Sequence, residues 1–164
     1  MPLTRDEDGV PELAPGAADV LQAATRMLAG VALRSVDVLA AAVTLPQFRL
    51  LAVIADLEPV PSGQAARALG LDPSTVTRVA DRLVAAGYVA RGSDSRHRGV
   101  VTLALTASGR ELVDEANAWR QSELARIMGR LAPAERAAVT NALGLLVRAA
   151  GDDYGLATHP PVPL

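Results

Sequence analysis

The stretch from Ser62 to Thr106 constrains this chain more than any other. It reads SGQAARALG, LD, PSTVTRVADRLVAAG, YVAR, GSDSRHRG, VVTLALT. The pattern predicts a short helix, a tight turn, a longer helix, and then two strands joined by a polar, Arg-rich hairpin. Ser62 is placed to cap the short helix, which ends at Gly70. Asp72 is placed to cap the longer one, because a carboxylate can accept from the free amides of a first turn. Pro73 then sits where a missing N–H costs nothing. Gly87 closes that helix, since glycine enters the left-handed region freely. Tyr88–Arg91 and Val100–Leu105 read as strands, with Val101, Leu103 and Leu105 alternating against Thr102 and Ala104.

On a helical wheel, Val76, Val79, Ala80 and Leu83 fall on one side of the longer helix and pack inward. Ser74, Arg78, Asp81 and Arg82 fall on the other, flanked by Thr75 and Thr77. A helix that enters a DNA major groove needs such a face: short residues near its N-terminus to allow approach, and Arg to reach guanine edges or phosphates. A solvated helix face has the same composition, so the helix alone leaves both readings open. The hairpin carries Arg96, His97 and Arg98. A hairpin beside such a helix can lay its tip along the backbone or in a minor groove, where negative potential favours Arg. The plainer alternative is a solvated turn, and for His97 the choice is likewise between a phosphate contact and an exposed turn.

Here the chain resembles the MarR (multiple antibiotic resistance regulator) family of winged helix-turn-helix repressors. The resemblance rests on Leu71-Asp72-Pro73-Ser74-Thr75-Val76-Thr77-Arg78, Asp81-Arg82-Leu83 and Ala86-Gly87-Tyr88-Val89. The wing adds Arg91, Asp94, Arg96 and Arg98, followed by Leu105-Thr106 and Gly109. It is strong from about Leu45 to Gly109 and looser on either side. Two positions depart from the family pattern: His97 stands where Asp is usual and Gly99 where a second Arg is usual, which bears on the wing's internal salt bridges and not on the fold. The resemblance implies a mainly α fold with a small β-wing, a winged helix-turn-helix plus a helical dimerisation region. It implies a bacterial, cytoplasmic homodimer that binds double-stranded DNA at a pseudopalindromic operator and is released by a small molecule. The DNA-binding residues would be Ser62, Ser74, Thr75, Thr77, Arg78, Arg82, Arg96, His97 and Arg98. An apolar or aromatic effector would lie between the dimer helices and the winged unit. Phe48 and Trp119 are its candidate lining, because large rings supply area in a chain with few aromatics; core packing is the alternative role for both.

The rest of the chain sets bounds. At 164 residues it is one domain's worth, enough to bury a core. No apolar run approaches the ~20 residues that span a bilayer, and no secretion-signal pattern opens it. Cys is absent, which excludes disulfides, thiol redox chemistry and thiolate metal sites. Net charge is −2, and its distribution is uneven. Five of the sixteen Arg lie between Pro73 and Thr106, against Asp81 and Asp94 only; elsewhere acids outnumber Arg. One basic face on an acidic protein suits a binder that touches DNA on one side.

In order, residues 1–16 read as a tail holding Asp6-Glu7-Asp8, and 17–45 as a helix whose stripe runs Leu21, Ala24, Leu28, Val31, Ser35, Val38 and Ala42, reaching about Val43. Residues 46–106 form the winged region, with a helix from Pro46 to about Asp56 and a loop at Glu58-Pro59-Val60-Pro61. Residues 107–151 hold two more helices, and 152–164 a Pro-rich tail. Thr106 can cap the first of these two, striped by Leu112, Ala116, Trp119, Glu123 and Ile127. Pro133 opens the second, whose buried face is Val139, Ala142, Leu143, Leu146 and Val147. These flanking helices can join two chains or form a bundle within one. Catalysis has no support: His97 and His159 stand apart from any triad or metal spacing, and no phosphate loop follows a strand. No cofactor, metal or membrane partner is expected. The rival to a DNA-binding regulator is a winged-helix interaction module whose Arg face meets an acidic protein.

Overall fold

The computed structural model describes residues 13–39, 41–93 and 99–151. Its elements run α1 (Ala17–Asp37), α2 (Leu45–Leu57), β1 (Val60–Pro61), α3 (Ser62–Leu69), α4 (Pro73–Ala85), β2 (Val89–Ser93), β3 (Val101–Leu105), α5 (Ala107–Met128) and α6 (Pro133–Ala150). The architecture is mostly helical with one small antiparallel sheet of order β1-β3-β2.

The core gathers around α2. Gln47 starts that helix by accepting from both the Thr44 N–H, at 2.8 Å, and the Thr44 hydroxyl, at 2.9 Å. The helix then buries Phe48, Leu50, Leu51 and Ile54 against α3, α4, α5 and β3. Val60, Val76, Ala80, Leu83 and Leu103 join the cluster, each nearly or wholly out of solvent. Burying such side chains contributes roughly 1.5–3 kcal/mol apiece, and the inner sides of the chain around α1 and α5 share the same core through Val36, Leu39, Val113 and Ala116. Gly87 closes α4 as expected, at φ +80°. Its N–H reaches Val84 O and the Tyr88 N–H reaches Leu83 O, satisfying the last carbonyls.

Two capping expectations are corrected. Asp72 stands at the N-cap of α4, but its side chain makes no capping bond. Pro73 brings no N–H, and the Thr75 N–H is already taken by the Asp72 backbone carbonyl at 3.0 Å. Ser62 is the first residue of α3 and not its cap. The reason is a strand where the sequence suggests a loop: Val60 pairs with Leu103 and Pro61 with Thr102, so the chain stays extended through Pro61. The other strands begin one residue later than the pattern indicates, and on β3 only Leu103 and Leu105 are buried while Val101 is exposed.

Thr106 does cap α5, accepting from the Gly109 N–H at 3.1 Å, and its hydroxyl also donates to Gly87 O at 2.7 Å. A Cβ at Gly109 would lie 2.0 Å from Tyr88 O. Threonine and glycine at this spacing therefore dock the start of α5 onto the end of α4. Glu58 adds a second tie. Its Oε2 accepts from the Leu105 N–H at 2.8 Å, and its Oε1 accepts from the Arg110 guanidinium.

The flanks differ. α1 ends at Asp37, short of the expected Val43, because the chain turns there with Leu39 N–H on Val36 O. Only Val31, Ser35 and Val36 of this helix are buried, leaving Leu21, Leu28 and Val38 of the expected stripe exposed. α1 packs on α5. α6 has no buried residue: the expected inner face of Val139, Ala142, Leu143, Leu146 and Val147 is open to solvent, because no described element of the same chain packs on it extensively.

Candidate nucleic-acid interface

The sequence of α4 dictates two faces and the structure separates them. Val76, Ala80 and Leu83 are buried, with Val79 half-buried against the same core. Ser74, Thr77, Arg78, Asp81 and Arg82 are exposed, and Thr75 is half-buried at the margin. Thr77 donates its hydroxyl proton to Pro73 O at 2.9 Å. It is left with an acceptor and a methyl to offer outward, the pair of groups that suit a base edge. Ser62, at the start of α3, is half-buried.

Arg96, His97 and Arg98 lie outside the described residues. What the structure places is the base of their hairpin: β2 and β3 pair from Val89–Leu105 to Ser93–Val101. This base is tied to the exposed face of α4 by an ion pair between Arg91 and Asp81, 2.5 Å apart. The sequence pattern counts Arg91 among the cations of the basic face without giving it a partner. It also leaves Arg67 unremarked. That residue is exposed on α3 and lines an open groove with Asp72 and Pro73 at the turn into α4. The alternation of buried Ala65, Ala66 and Leu69 with exposed Gly63, Gln64 and Arg67 could have flagged it.

Beside the helix-turn-helix lies a cavity of about 280 Å³ between α1, α2, the end of α3, and α5. Phe48 lines it, as does Arg120, whose guanidinium lies 5.8 Å from the centre of the Phe48 ring. Burial pushes the Arg120 guanidinium down from its ordinary value, and the charge of Asp56, also on the cavity wall, pulls it back up. Arg49 reaches from the same wall to Leu69 O at 3.5 Å, on the last turn of α3. Trp119 is not on the wall. One residue from Arg120 is about 100° around a helix, so the two side chains leave α5 in different directions and Trp119 stays half-buried elsewhere.

Known proteins share this fold. The family model described as "MarR family" matches residues 43–98. A crystal structure of RV1404 from Mycobacterium tuberculosis is 33% identical, with a TM-score of 0.76 over 92% of this chain and 99% of that one. A MarR family protein from Bacillus stearothermophilus is 25% identical, with a TM-score of 0.72 over 82% and 96%. A mutant MepR from S. aureus, bound to an oligodeoxyribonucleotide, shares the fold at 16% identity and a TM-score of 0.60, over 84% and 99%. No curated protein matches the chain in sequence.

Proposed function

The chain belongs to the MarR family of winged helix regulators, and from that premise we propose that it binds operator DNA as a homodimer and represses transcription until a small molecule releases it. The observation that carries the DNA-binding part is the outer face of α4. It has hydroxyls at its N-terminal end and Arg78 and Arg82 beyond them, on a helix whose other face buries Val76, Ala80 and Leu83 in the core.

Under this reading α4 enters the major groove. Ser74, Thr75 and Thr77 allow close approach, and Arg78 reads a base edge. Arg82 and Ser62 hold the backbone, and Arg96, His97 and Arg98 extend the contact from the wing. The uncovered apolar residues of α1 and α6 support the dimer, which would set two α4 helices about one DNA turn, ~34 Å, apart on a pseudopalindrome. The DNA-bound MepR mutant, of the same fold, fits this reading. The cavity beside Phe48 is the proposed effector site. It touches α1, α5 and the end of α3 together, so an apolar or aromatic occupant could shift the helix-turn-helix against the flanks. No step of this activity calls for a catalytic group or a cofactor, and it belongs in the bacterial cytoplasm, where the chromosome is.

The test is selection of bound sequences from random duplex DNA, followed by titration of the selected site at several salt concentrations. A pseudopalindromic site, bound by a dimer with an affinity that falls steeply with salt, is expected. No duplex binding, with capture of an acidic protein instead, would favour the interaction-module reading.

A further inference from the structure

Asp81 is out of place on a DNA-facing surface. It shares the outer arc of α4 with Ser74, Thr77 and Arg78, and a bare carboxylate there would repel phosphates. The structure answers that charge with Arg91, reaching from β2 to Asp81 Oδ1 at 2.5 Å. The two side chains are 39% and 55% exposed, and an ion pair that wet contributes little to stability. Its effect must be sought in the DNA contact. Arg91 sits on β2, two residues before the strand ends at Ser93, so the pair also fixes the base of the wing against α4.

We propose that Asp81 and Arg91 form a specificity device: the pair neutralises Asp81, holds the wing in register with α4, and keeps Arg91 off the phosphate backbone. This rests on the DNA-binding reading above. Phosphate contacts strengthen binding to any sequence, so a cation withheld from them lowers the affinity for random DNA and leaves discrimination to Arg78 and its neighbours. Asp81 thus acts through Arg91 as a positioning residue.

The experiment compares the full-length wild type with Asp81→Asn, Asp81→Glu, Arg91→Gln and the double variant Asp81→Asn/Arg91→Gln. Each is titrated against the selected duplex and a scrambled one over a range of salt. Asp81→Asn frees Arg91. Its affinity for scrambled DNA should rise about tenfold, its log–log salt slope should steepen by about 0.9 for each subunit, and its preference for the selected site should fall. Arg91→Gln leaves Asp81 bare and should weaken both complexes. The double variant has neither a free cation nor a bare carboxylate, so its affinity and slope on scrambled DNA should return to wild-type values. Asp81→Glu should restore the wild-type slope. Equal weakening on both duplexes by Asp81→Asn, with an unchanged slope, would reduce the pair to a structural brace and overturn the proposal. So would wild-type binding of both duplexes by that variant. If the wild type itself bound no duplex, the DNA-binding reading would fail first and take this proposal with it; binding by the wild type with an idle Asp81→Asn sinks this proposal alone.

Discussion

The winged unit and the flanking helices solve opposite problems with similar residues. From α2 to β3 most large apolar side chains are buried or half-buried, Leu45, Leu71, Val100 and Val101 being the exposed ones, and the outer face of α4 is hydroxyl, Arg and one Asp. On α6 the apolar side chains are the surface: Leu145 is 62% exposed, Leu146 53% and Val147 51%. Monomeric proteins scatter exposed apolar residues singly, and continuous apolar faces mark interaction sites. The contrast teaches that the winged unit shares one buried core with the inner sides of the chain around α1 and α5, whereas the apolar face of α6 has no comparable cover from the described residues of this chain. Under the proposed function, the spacing of two α4 helices on DNA would depend on what covers α1 and α6.

The comparison breaks most visibly in the core. Leu83 is fully buried between α4 and its neighbours. Leu83→Ala should cost about 2–5 kcal/mol of folding stability, read by thermal or denaturant unfolding. A variant as stable as the wild type would mean that the winged unit is not the stable half. Next comes the flank. Leu146→Glu places a charge on the exposed face of α6 and should leave the winged unit folded. If that face is a dimer contact, the charge should weaken association by roughly 3 kcal/mol or more. Light scattering at micromolar concentration should then give a monomer. An unchanged dimer would move the interface off α6.

The smallest effect sharpens the seam between the two regions. Burial alone would raise the Glu58 carboxyl, but the Arg110 hydrogen bond, the Leu105 N–H and the Arg110 charge outweigh it and hold the group below its ordinary value. A depressed folded value means the stabilisation is fully present above the unfolded carboxylate range. It is lost as pH falls through the lower, folded value. Glu58→Gln should therefore cost about 1 kcal/mol near neutral pH. It should also flatten the loss of stability that the wild type shows on acidification below the ordinary carboxylate range. Parallel pH profiles for the two proteins would remove Glu58 from the seam.

Much of this was legible in the sequence because the signals were local. The Pro73 start, the Gly87 stop and the outer face of α4 follow from one helix's own residues. The Thr106 cap likewise lies within three residues of its partner, Gly109. What was not legible depended on distant partners. Val60-Pro61 becomes a strand only because Leu103 and Thr102, far along the chain, pair with it. Asp72 loses its capping role to its own backbone carbonyl. Arg120, and not Trp119, joins Phe48 on the cavity wall, a placement that depends on how α5 is rotated against α2. The periodicity of α6 correctly marked an apolar stripe, but periodicity cannot say whether the stripe is covered by the same chain. Arg96, His97 and Arg98 lie outside the described residues, so the wing tip rests on the sequence pattern alone.

The central claim is that the exposed face of α4 reads DNA. It is tested most directly by titrating the wild type, Arg78→Ala and Arg96→Ala against the selected and scrambled duplexes at several salt concentrations. Arg78→Ala should lose roughly 1–3 kcal/mol per half-site on the selected duplex and much less on the scrambled one. Arg96→Ala should weaken both more evenly and reduce the salt slope by about one for each phosphate that Arg96 neutralises in the wild type. If both variants bound both duplexes as the wild type does, α4 and the wing would not be the DNA surface, and the account would be wrong at its centre.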